Sequence, residues 1–498
     1  MIGSNPAIGR RLSYDGPAHL GTRAGKGVGT VIPNLLAVDR SVLVIDPKGE
    51  NARITGAARQ RFGAVHVLDP FGVSGHVSAA YNPLDRLGID SPDLDEDAAT
   101  LADALVMDPP GQVQEAHWNE EAKALLAGLI LFCVAHEEAD RRSLAAVREY
   151  LTLPPNRFRE LLTLMQDSTE AHGLIARAAN RFLGKSEREA ASVLSSAQRH
   201  THFLDSPRIA ASMARSDFAF ADLRDRTASV FLVLPPNRLD AYSRWLRLLV
   251  SQALQDIARD AEAGTPAGAG TPAGGSKAAH GLTGPHNGSE RLPEARSASQ
   301  GAMTSTAGSE SLTGPLSSPE KATDTLNTPE ALPEPLTAPE RPQGPVLFLL
   351  DEFAALGRLE AVERAMGLMA GYGLQLWPIL QDMSQLRDLY GTRASTFVAN
   401  AGVQQIFGVN DFETAQWLSQ SMGRETIGYH TQSHRPGDAP TTATGITGRD
   451  LLTPDEIMRM APELQLLRLQ GRPPAIAQKL RYYADPEFAG LVAATTAA

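Results

Sequence analysis

With one cysteine in 498 residues, Cys133, the chain has no second thiol for an internal disulfide, so it reads as a protein of a reducing compartment held by its hydrophobic core. Cys133 lies inside an apolar run, Ala124 to Ala135, and is expected as a small core residue. That run is about 12 residues long and is bounded by Glu121, Lys123, Glu137 and Glu138, short of the roughly 18–20 residues of a membrane span. The opening M-I-G-S-N-P-A-I-G-R-R also lacks the apolar core of a secretory signal. As written, the chain is expected to be soluble, and cytoplasmic or peripheral to a membrane. A basic excess is missing too: 46 Lys and Arg stand against 57 Asp and Glu, a net charge of −11. This argues against a simple surface binder of duplex nucleic acid, but allows a basic lumen inside an acidic ring. The 12 histidines show no pairing with Cys or Asp at metal-ligand spacing.

What is present begins with V-L-F-L-L-D-E-F-A-A-L-G-R, Val346 to Arg358. A continuous apolar run of this kind predicts a strand buried on both faces, the habit of a parallel sheet flanked by helices. Asp351 and Glu352 then fall at its C-terminal end, where open α/β sheets bind ligands. A nucleotide-hydrolysing motor keeps one acid there for its metal and a second for the attacking water. The matching phosphate site is G-T-R-A-G-K-G-V-G, Gly21 to Gly29, ahead of the helical run V-I-P-N-L-L. Glycines let backbone N–H groups wrap phosphates, the helix start adds a positive dipole end, and a lysine neutralises the β/γ oxygens. The candidate loop is Gly21, Thr22, Arg23, Ala24, Gly25, Lys26 and Gly27. It departs from the usual pattern at two positions: Leu20 stands where the first glycine belongs, and Gly27 replaces the hydroxyl residue that touches Mg²⁺.

Other residues could serve the same chemistry. Gln381, at the end of L-Q-L-W-P-I-L-Q, is a candidate to hold the attacking water and sense the γ-phosphate; the alternative is a surface polar residue at a strand end. Asp46 and Asp69 also end predicted strands, with capping as the alternative to catalysis. His117-Trp118 opens a helical segment and either stacks on a base or places a core tryptophan.

The chain length allows two or three domains. Residues 1–92 form the first part of an α/β nucleotide-binding domain, with S-V-L-V-I-D and A-V-H-V-L-D expected as adjacent parallel strands. Residues 93–205 carry apolar residues at three- and four-residue spacing and read as an all-α insertion. Residues 206–261 return to the α/β domain with S-V-F-L-V-L-P-P and an amphipathic helix. Residues 262–344 are dominated by Pro, Gly, Ala, Ser and Thr, and read as a disordered insertion of about 80 residues. Residues 345–498 complete the domain with the Asp-Glu strand. They also hold a helix capped by Asp411 and stopped at Gly423, a capping box at Thr453 to Glu456, and two antiparallel strands, Leu464 to Leu469 and Ala475 to Tyr483.

These residues carry a resemblance. G-K-G-V-G-T-V-I-P-N-L-L, S-V-L-V-I-D-P-K-G-E-N, H-W-N-E-E-A-K-A-L-L-A-G-L-I, V-L-F-L-L-D-E-F-A-A-L-G-R-L and I-L-Q-D-M-S-Q-L-R-D-L-Y-G are similar to stretches of the TraG-type coupling proteins of conjugation and type IV secretion. N-A-G-V-Q-Q-I-F-G-V-N-D, L-L-T-P-D-E-I-M and K-L-R-Y-Y extend the likeness to nearly everything outside 262–344. It implies a RecA-like P-loop NTPase sheet with an inserted all-α domain, ATP and Mg²⁺ as cofactors, and a homo-oligomer, a hexamer in this family. It further implies that Lys26 binds phosphate, Asp351 holds Mg²⁺ through water, Glu352 acts as base and Gln381 as sensor. The all-α domain would face the cytoplasm and meet relaxase-bound single-stranded DNA, at a type IV secretion channel on the cytoplasmic face of the bacterial inner membrane.

A glycine after the loop lysine is also this family's habit. Three features depart from it. The family usually has N-terminal transmembrane helices, whereas this chain begins about twenty residues before the loop. H-L-G-T-R replaces the longer strand-and-loop stretch of the type H-L-L-T-V-A-P-T-R. Ala370 and Gly371 stand where some relatives have an arginine finger, leaving Arg358 or Arg364 as substitutes. The expected function is an ATP-driven coupling protein that delivers relaxase-bound single-stranded DNA, or a protein effector, to the channel. The alternatives are a docking adaptor that no longer hydrolyses ATP and a generic hexameric DNA-pumping ATPase. The all-α insertion and D-P-K-G-E-N weigh against the last.

Overall fold

The computed structural model describes residues 17–20, 25–107, 113–263, 344–433 and 441–492. Gly21, Thr22, Arg23 and Ala24 of the candidate loop lie outside the described residues, as does nearly all of the Pro-rich insertion. Chain contacts divide the protein into Met1–Thr265 with Pro339–Ala498, which holds all described residues, and Pro266–Ala338.

The strands are β1 (Pro17–Leu20), β2 (Val42–Ile45), β3 (Ala64–Leu68), β4 (Ala228–Leu232), β5 (Val346–Leu350), β6 (Leu374–Pro378), β7 (Val403–Phe407), β8 (Arg424–Ser433), β9 (Thr441–Asp450), β10 (Leu464–Leu469) and β11 (Ala475–Gln478). Five of them form an all-parallel sheet in the order β3-β4-β2-β5-β6. Side chains alternate between its faces. On one face Val42, Val44, Phe231, Leu347, Leu349 and Trp377 pack with Val31, just before the helix α1 (Ile32–Ala37), with Leu35 of α1 and with Ala52 of the helix α2 (Glu50–Arg59). On the other, Leu43, Ile45, Val230, Leu232, Phe348 and Leu350 belong to the large core that contains Trp245 and Leu249. Both faces are covered, which is why these strands show apolar runs rather than polar alternation.

The expected adjacency of S-V-L-V-I-D and A-V-H-V-L-D is not what the fold adopts. β2 and β3 are parallel members of one sheet, but β4 lies between them and pairs with both. The helix α2 crosses two strand spacings, roughly 10 Å, and leaves a slot that a strand from 160 residues later in the chain fills. An apolar run announces a buried strand but not its lateral neighbours.

From Leu94 to Asp225 the described residues form helices and their connections: α3 (Leu94–Leu105), α4 (Val113–His136), α5 (Leu144–Leu151), α6 (Pro155–Asp167), α7 (Leu174–Leu183), α8 (Glu187–Thr201), α9 (Pro207–Ser212) and α10 (Asp222–Asp225). Cys133 is fully buried on α4. The helix α11 (Leu239–Ala263) packs on α3 and joins this stretch to the sheet. Its buried Arg247 donates to the carbonyls of Ala104 (3.1 Å) and Leu356 (3.4 Å), and also to that of Arg358.

The remaining helices are α12 (Glu360–Leu368), α13 (Met383–Tyr390), α14 (Ala394–Asn400), α15 (Phe412–Met422) and α16 (Pro454–Met458). Two end where their caps require. The Asp411 carboxylate accepts from Thr414 N–H at 2.7 Å and Gly423 follows α15 with φ 91°, while Thr453 and Glu456 form a reciprocal capping box on α16. A second sheet has the order β1-β7-β10-β11, with β1 parallel to β7 and the other pairs antiparallel. β1 runs into the loop as a strand of four residues and lies alongside β6. β8 and β9 form a separate antiparallel ribbon. β11 stops at Gln478 rather than reaching Tyr483, because Arg481 N–H turns to the Asp485 carboxylate (2.8 Å) and Tyr482 packs inward.

Candidate functional site

Helical structure starts at Lys26, directly after Gly25, whose φ of 79° only glycine adopts freely. Gly29 N–H donates to Gly25 O at 2.7 Å, and the turn Gly27–Val31 runs on into α1. The Lys26 ammonium donates to Leu380 O at 2.7 Å, just beyond the end of β6. The loop lysine is thereby brought to the edge where the parallel strands finish.

The acids arrive at that edge through strand register. Ile45 pairs with Leu350, and Leu350 with Pro378, so Asp46, Asp351 and Ile379 each take the next step at one level. Asp351 is half-buried, and one of its oxygens accepts Glu352 N–H at 3.0 Å. Glu352 turns the chain with φ 51° and ψ 43°, one of three non-glycine residues at positive φ among those described. Such a conformation costs about 1–2 kcal/mol for a residue with a Cβ, and strain of this kind concentrates at functional sites. The turn is held from both sides: Phe353 N–H donates to Ile379 O at 3.2 Å, and Ala355 N–H to Glu352 O at 2.8 Å.

Gln381 lies three residues past β6, not within it. Its side-chain amide donates to Glu352 Oε2 at 3.2 Å, while its backbone N–H donates to Gln385 Oε1 at 2.9 Å. Asp382 caps α13 by accepting Gln385 N–H at 3.0 Å. Asp382 and the Leu380 carbonyl join the site without having been among the residues expected there. The D-x-x-Q spacing of a capping box was the available signal for the former; nothing in the sequence marks a carbonyl.

Burial pushes the Lys26 ammonium pKa down, against Asp351, Glu352 and Asp382, which pull it up. Burial raises the Asp351 carboxyl, the Glu352 charge adds to this, and Lys26 opposes it. One ammonium, two carboxylates and an amide thus share one half-buried edge, an arrangement suited to phosphate and a hard cation. Among the described residues no group of three or more His, Cys, Asp or Glu gathers to cage a metal. Mg²⁺ fits this donor set, because it is held by one or two carboxylates, keeps waters, and takes the remaining oxygens from phosphates. Gly27 contributes no hydroxyl, and the buried Thr30 hydroxyl accepts from Gln405 Nε2 at 2.8 Å instead.

Asp46 and Asp69 have structural partners. Asp46 is buried and accepts the N–H groups of Glu50 (3.1 Å) and Ala52 (2.8 Å), capping α2. Burial raises its carboxyl to about 6. Asp69 accepts the N–H and hydroxyl of Ser74 at 2.6 and 2.7 Å. Trp118 is half-buried against the large core, edge-on to exposed His117. Arg358 pairs with Glu360 and Glu363 at 3.7 and 3.9 Å, while Arg364 is exposed on α12.

Known proteins share this arrangement of sequence and fold. The family described as Type IV secretory system conjugative DNA transfer matches residues 18–269 and 334–497. The conjugal transfer protein TraG of Escherichia coli is 28% identical over 521 aligned residues, covering 97% of this chain and 70% of TraG. Protein VirD4 of Rhizobium radiobacter is 25% identical over 476, covering 93% of this chain and 56% of VirD4. Among solved structures, the unbound bacterial conjugative coupling protein TrwBdeltaN70 superposes with TM-score 0.60 at 17% identity, over 94% of this chain and 85% of that one. TrwB in complex with ADP and Mg²⁺ gives 0.59 at 17%, over 95% and 91%. At such identity these structures speak for the fold, the RecA-like P-loop architecture. With the family match spanning most of its length, this chain belongs to the type IV secretory conjugative DNA transfer family, as a TraG-type coupling protein of conjugation and type IV secretion.

Proposed function

We propose that the chain is the ATP-hydrolysing subunit of its coupling machine. The observation that carries this reading is the convergence of Lys26, Asp351, Glu352 and Gln381, from three separate parts of the chain, on one sheet edge. In this reading Gly25, Lys26 and Gly27 cradle the phosphates, together with Gly21, Thr22, Arg23 and Ala24, and the Lys26 ammonium leaves the Leu380 carbonyl for the β/γ oxygens. Asp351 holds Mg²⁺ through water; the ion, when bound, neutralises charge building on the β/γ oxygens. Glu352 takes the proton of the attacking water. Gln381, hydrogen-bonded to Glu352, orients that water and senses whether the γ-phosphate is present. The solved relative TrwB binds the ATP analogue ADPNP and, separately, ADP with Mg²⁺, which supports the same cofactors here.

By the same reading, residues 93–205 form the all-α domain that receives relaxase-bound single-stranded DNA. Residues 1–92, 206–261 and 345–498 form the motor domain, and 262–344 the insertion between them. The motor acts as a homo-hexamer at the cytoplasmic face of the inner membrane, feeding a type IV secretion channel. Among the described residues no helix is long and apolar enough to cross a membrane.

The test is ATP turnover of the purified chain with and without single-stranded DNA. Wild type should turn over ATP faster with DNA. Glu352→Gln should lose about 10²–10⁴-fold in kcat, the usual contribution of a general base, while still binding ATP. Lys26→Ala should lose binding. Wild-type turnover equal to the Lys26→Ala background, with no stabilisation by nucleotide, points instead to a docking adaptor.

A further inference from the structure

The segment after β11, K-L-R-Y-Y (Lys479–Tyr483), has no part in the phosphate and acid chemistry, yet it lies on the helix that Lys26 begins. A Cβ added at Gly29 would stand 3.3 Å from Leu480 O and 3.6 Å from Lys479 Cβ, so the tail backbone crosses the first turn of that helix at very short range. Lys479 fixes the crossing. Its N–H donates to Glu463 O at 2.8 Å, and its ammonium donates to Pro462 O at 2.7 Å while lying 4.9 Å from the centre of the Phe407 ring.

Tyr482 then packs on Ile32 and Leu36 of α1, with Ile54 and Ala58 of α2 in the same cluster. Burial raises its phenol pKa, and the Glu50 carboxylate adds to the rise. Glu50 opens α2 shortly after β2 ends, near the sheet edge that Asp351 occupies, and Ile54 and Ala58 of the Tyr482 cluster follow it one and two turns along α2. The Tyr483 ring stands edge-on to Tyr482 at 5.5 Å between centroids and is 67% exposed.

A nucleoside triphosphate gripped by Lys26 at its β/γ phosphates has its α-phosphate over the start of the helix, with ribose and base projecting beyond it. The tail covers this turn together with the Phe407 ring of β7, which a Cβ at Gly29 would meet at 3.7 Å. We propose that residues 479–483 form the base-side wall of the nucleotide site, with the Tyr483 ring as the surface on which the purine stacks. The proposal rests on the reading that Lys26 holds the phosphates. It gives the Gly29 contact a purpose: a side chain there would lift the tail away from the ligand it faces.

Calorimetric titration of the full chain with Mg·ATP and, separately, with Mg·tripolyphosphate, which has no base, tests it. Tyr483→Ala should weaken ATP about tenfold, in the range of one lost base–aromatic stack. Tyr483→Phe should stay within about twofold of wild type, since the ring face is kept. Tripolyphosphate should bind all three proteins equally. Unchanged ATP affinity in Tyr483→Ala, or equal losses for both ligands, overturns the tail assignment and leaves the phosphate site standing. A wild type that binds neither ligand brings down the phosphate reading and the tail assignment together.

Discussion

Glu352 combines three properties at one residue: a left-handed backbone, a carboxylate facing Gln381, and a place next to the half-buried Asp351. The first keeps the second in position, since a relaxed backbone would swing the carboxylate off the edge of the sheet. Asp351 and Glu352 were legible in the sequence because a short apolar run ending in two acids has few readings. The Gln381 contact was not, because nothing local ties it to an acid 29 residues earlier. Asp46 shows the opposite case, a strand-end acid whose carboxylate is consumed by backbone N–H groups. Its carboxyl rises to about 6 in the fold, mainly by burial, so the folded state favours the protonated form. The stability this contributes is complete below the unfolded value near 4 and is lost as pH rises through about 6, up to about 3 kcal/mol. Asp46→Asn should remove that decline. The check is the wild-type minus variant difference in urea unfolding free energy from pH 4 to 8, which should fall between about pH 4 and 6 and flatten above about pH 7.

At the scale of elements, the turn between β2 and α2 is built around Gly49. Its φ is 61°, and a Cβ there would meet Ser74 Cα at 2.8 Å and Ser74 N at 2.9 Å. Ser74 is in turn anchored by Asp69, so the two strand-end aspartates brace one turn from opposite sides. Gly49→Ala should destabilise the protein by about 2 kcal/mol or more, combining backbone strain with a clash against main chain. A lowered urea midpoint at unchanged slope is the expected result. Caps and buried strands were legible because each is written in a few adjacent residues: Asp411, Thr453 with Glu456, and Val346 to Leu350. Lateral order was not, since β4 enters between β2 and β3 only after the whole helical stretch has been made. β11 ends at Gln478, short of the expected Tyr483, for a related reason. The apolar and aromatic residues after Gln478 serve a helix face rather than a continuing ladder.

For the whole molecule, the described core is assembled from segments on either side of residues 266–338. The two acids reach the loop lysine only because the chain returns to the same sheet after that excursion. Loop-closure entropy changes slowly with length, so replacing 266–338 with a short Gly-Ser linker should leave the thermal midpoint of the remaining protein within about 2 °C of wild type, as read by calorimetry. A larger drop would mean that this segment contributes contacts to the fold. The proposed ring, its cargo and an arginine reaching a neighbouring subunit belong to this scale as well. Arg364 is exposed on α12, whereas Arg358 is engaged by Glu360 and Glu363 of its own chain.

By itself the sequence determined the kinds of element, the reactive residue types and the family, because periodicity, capping and motif spacing are local properties of a chain. It also placed Asp351 at a strand end and Lys26 at a helix start. Only the tertiary structure decided that these two ends meet, that Gln381 bonds Glu352 while Asp46 serves a helix cap, and that the K-L-R-Y-Y tail lies across the first turn of the loop helix. The first and last of these depend on strand order and register between segments hundreds of residues apart, selected by the packing of the whole core. The Gln381 and Asp46 contacts span 29 residues or fewer but are set by how the chain turns at the strand ends.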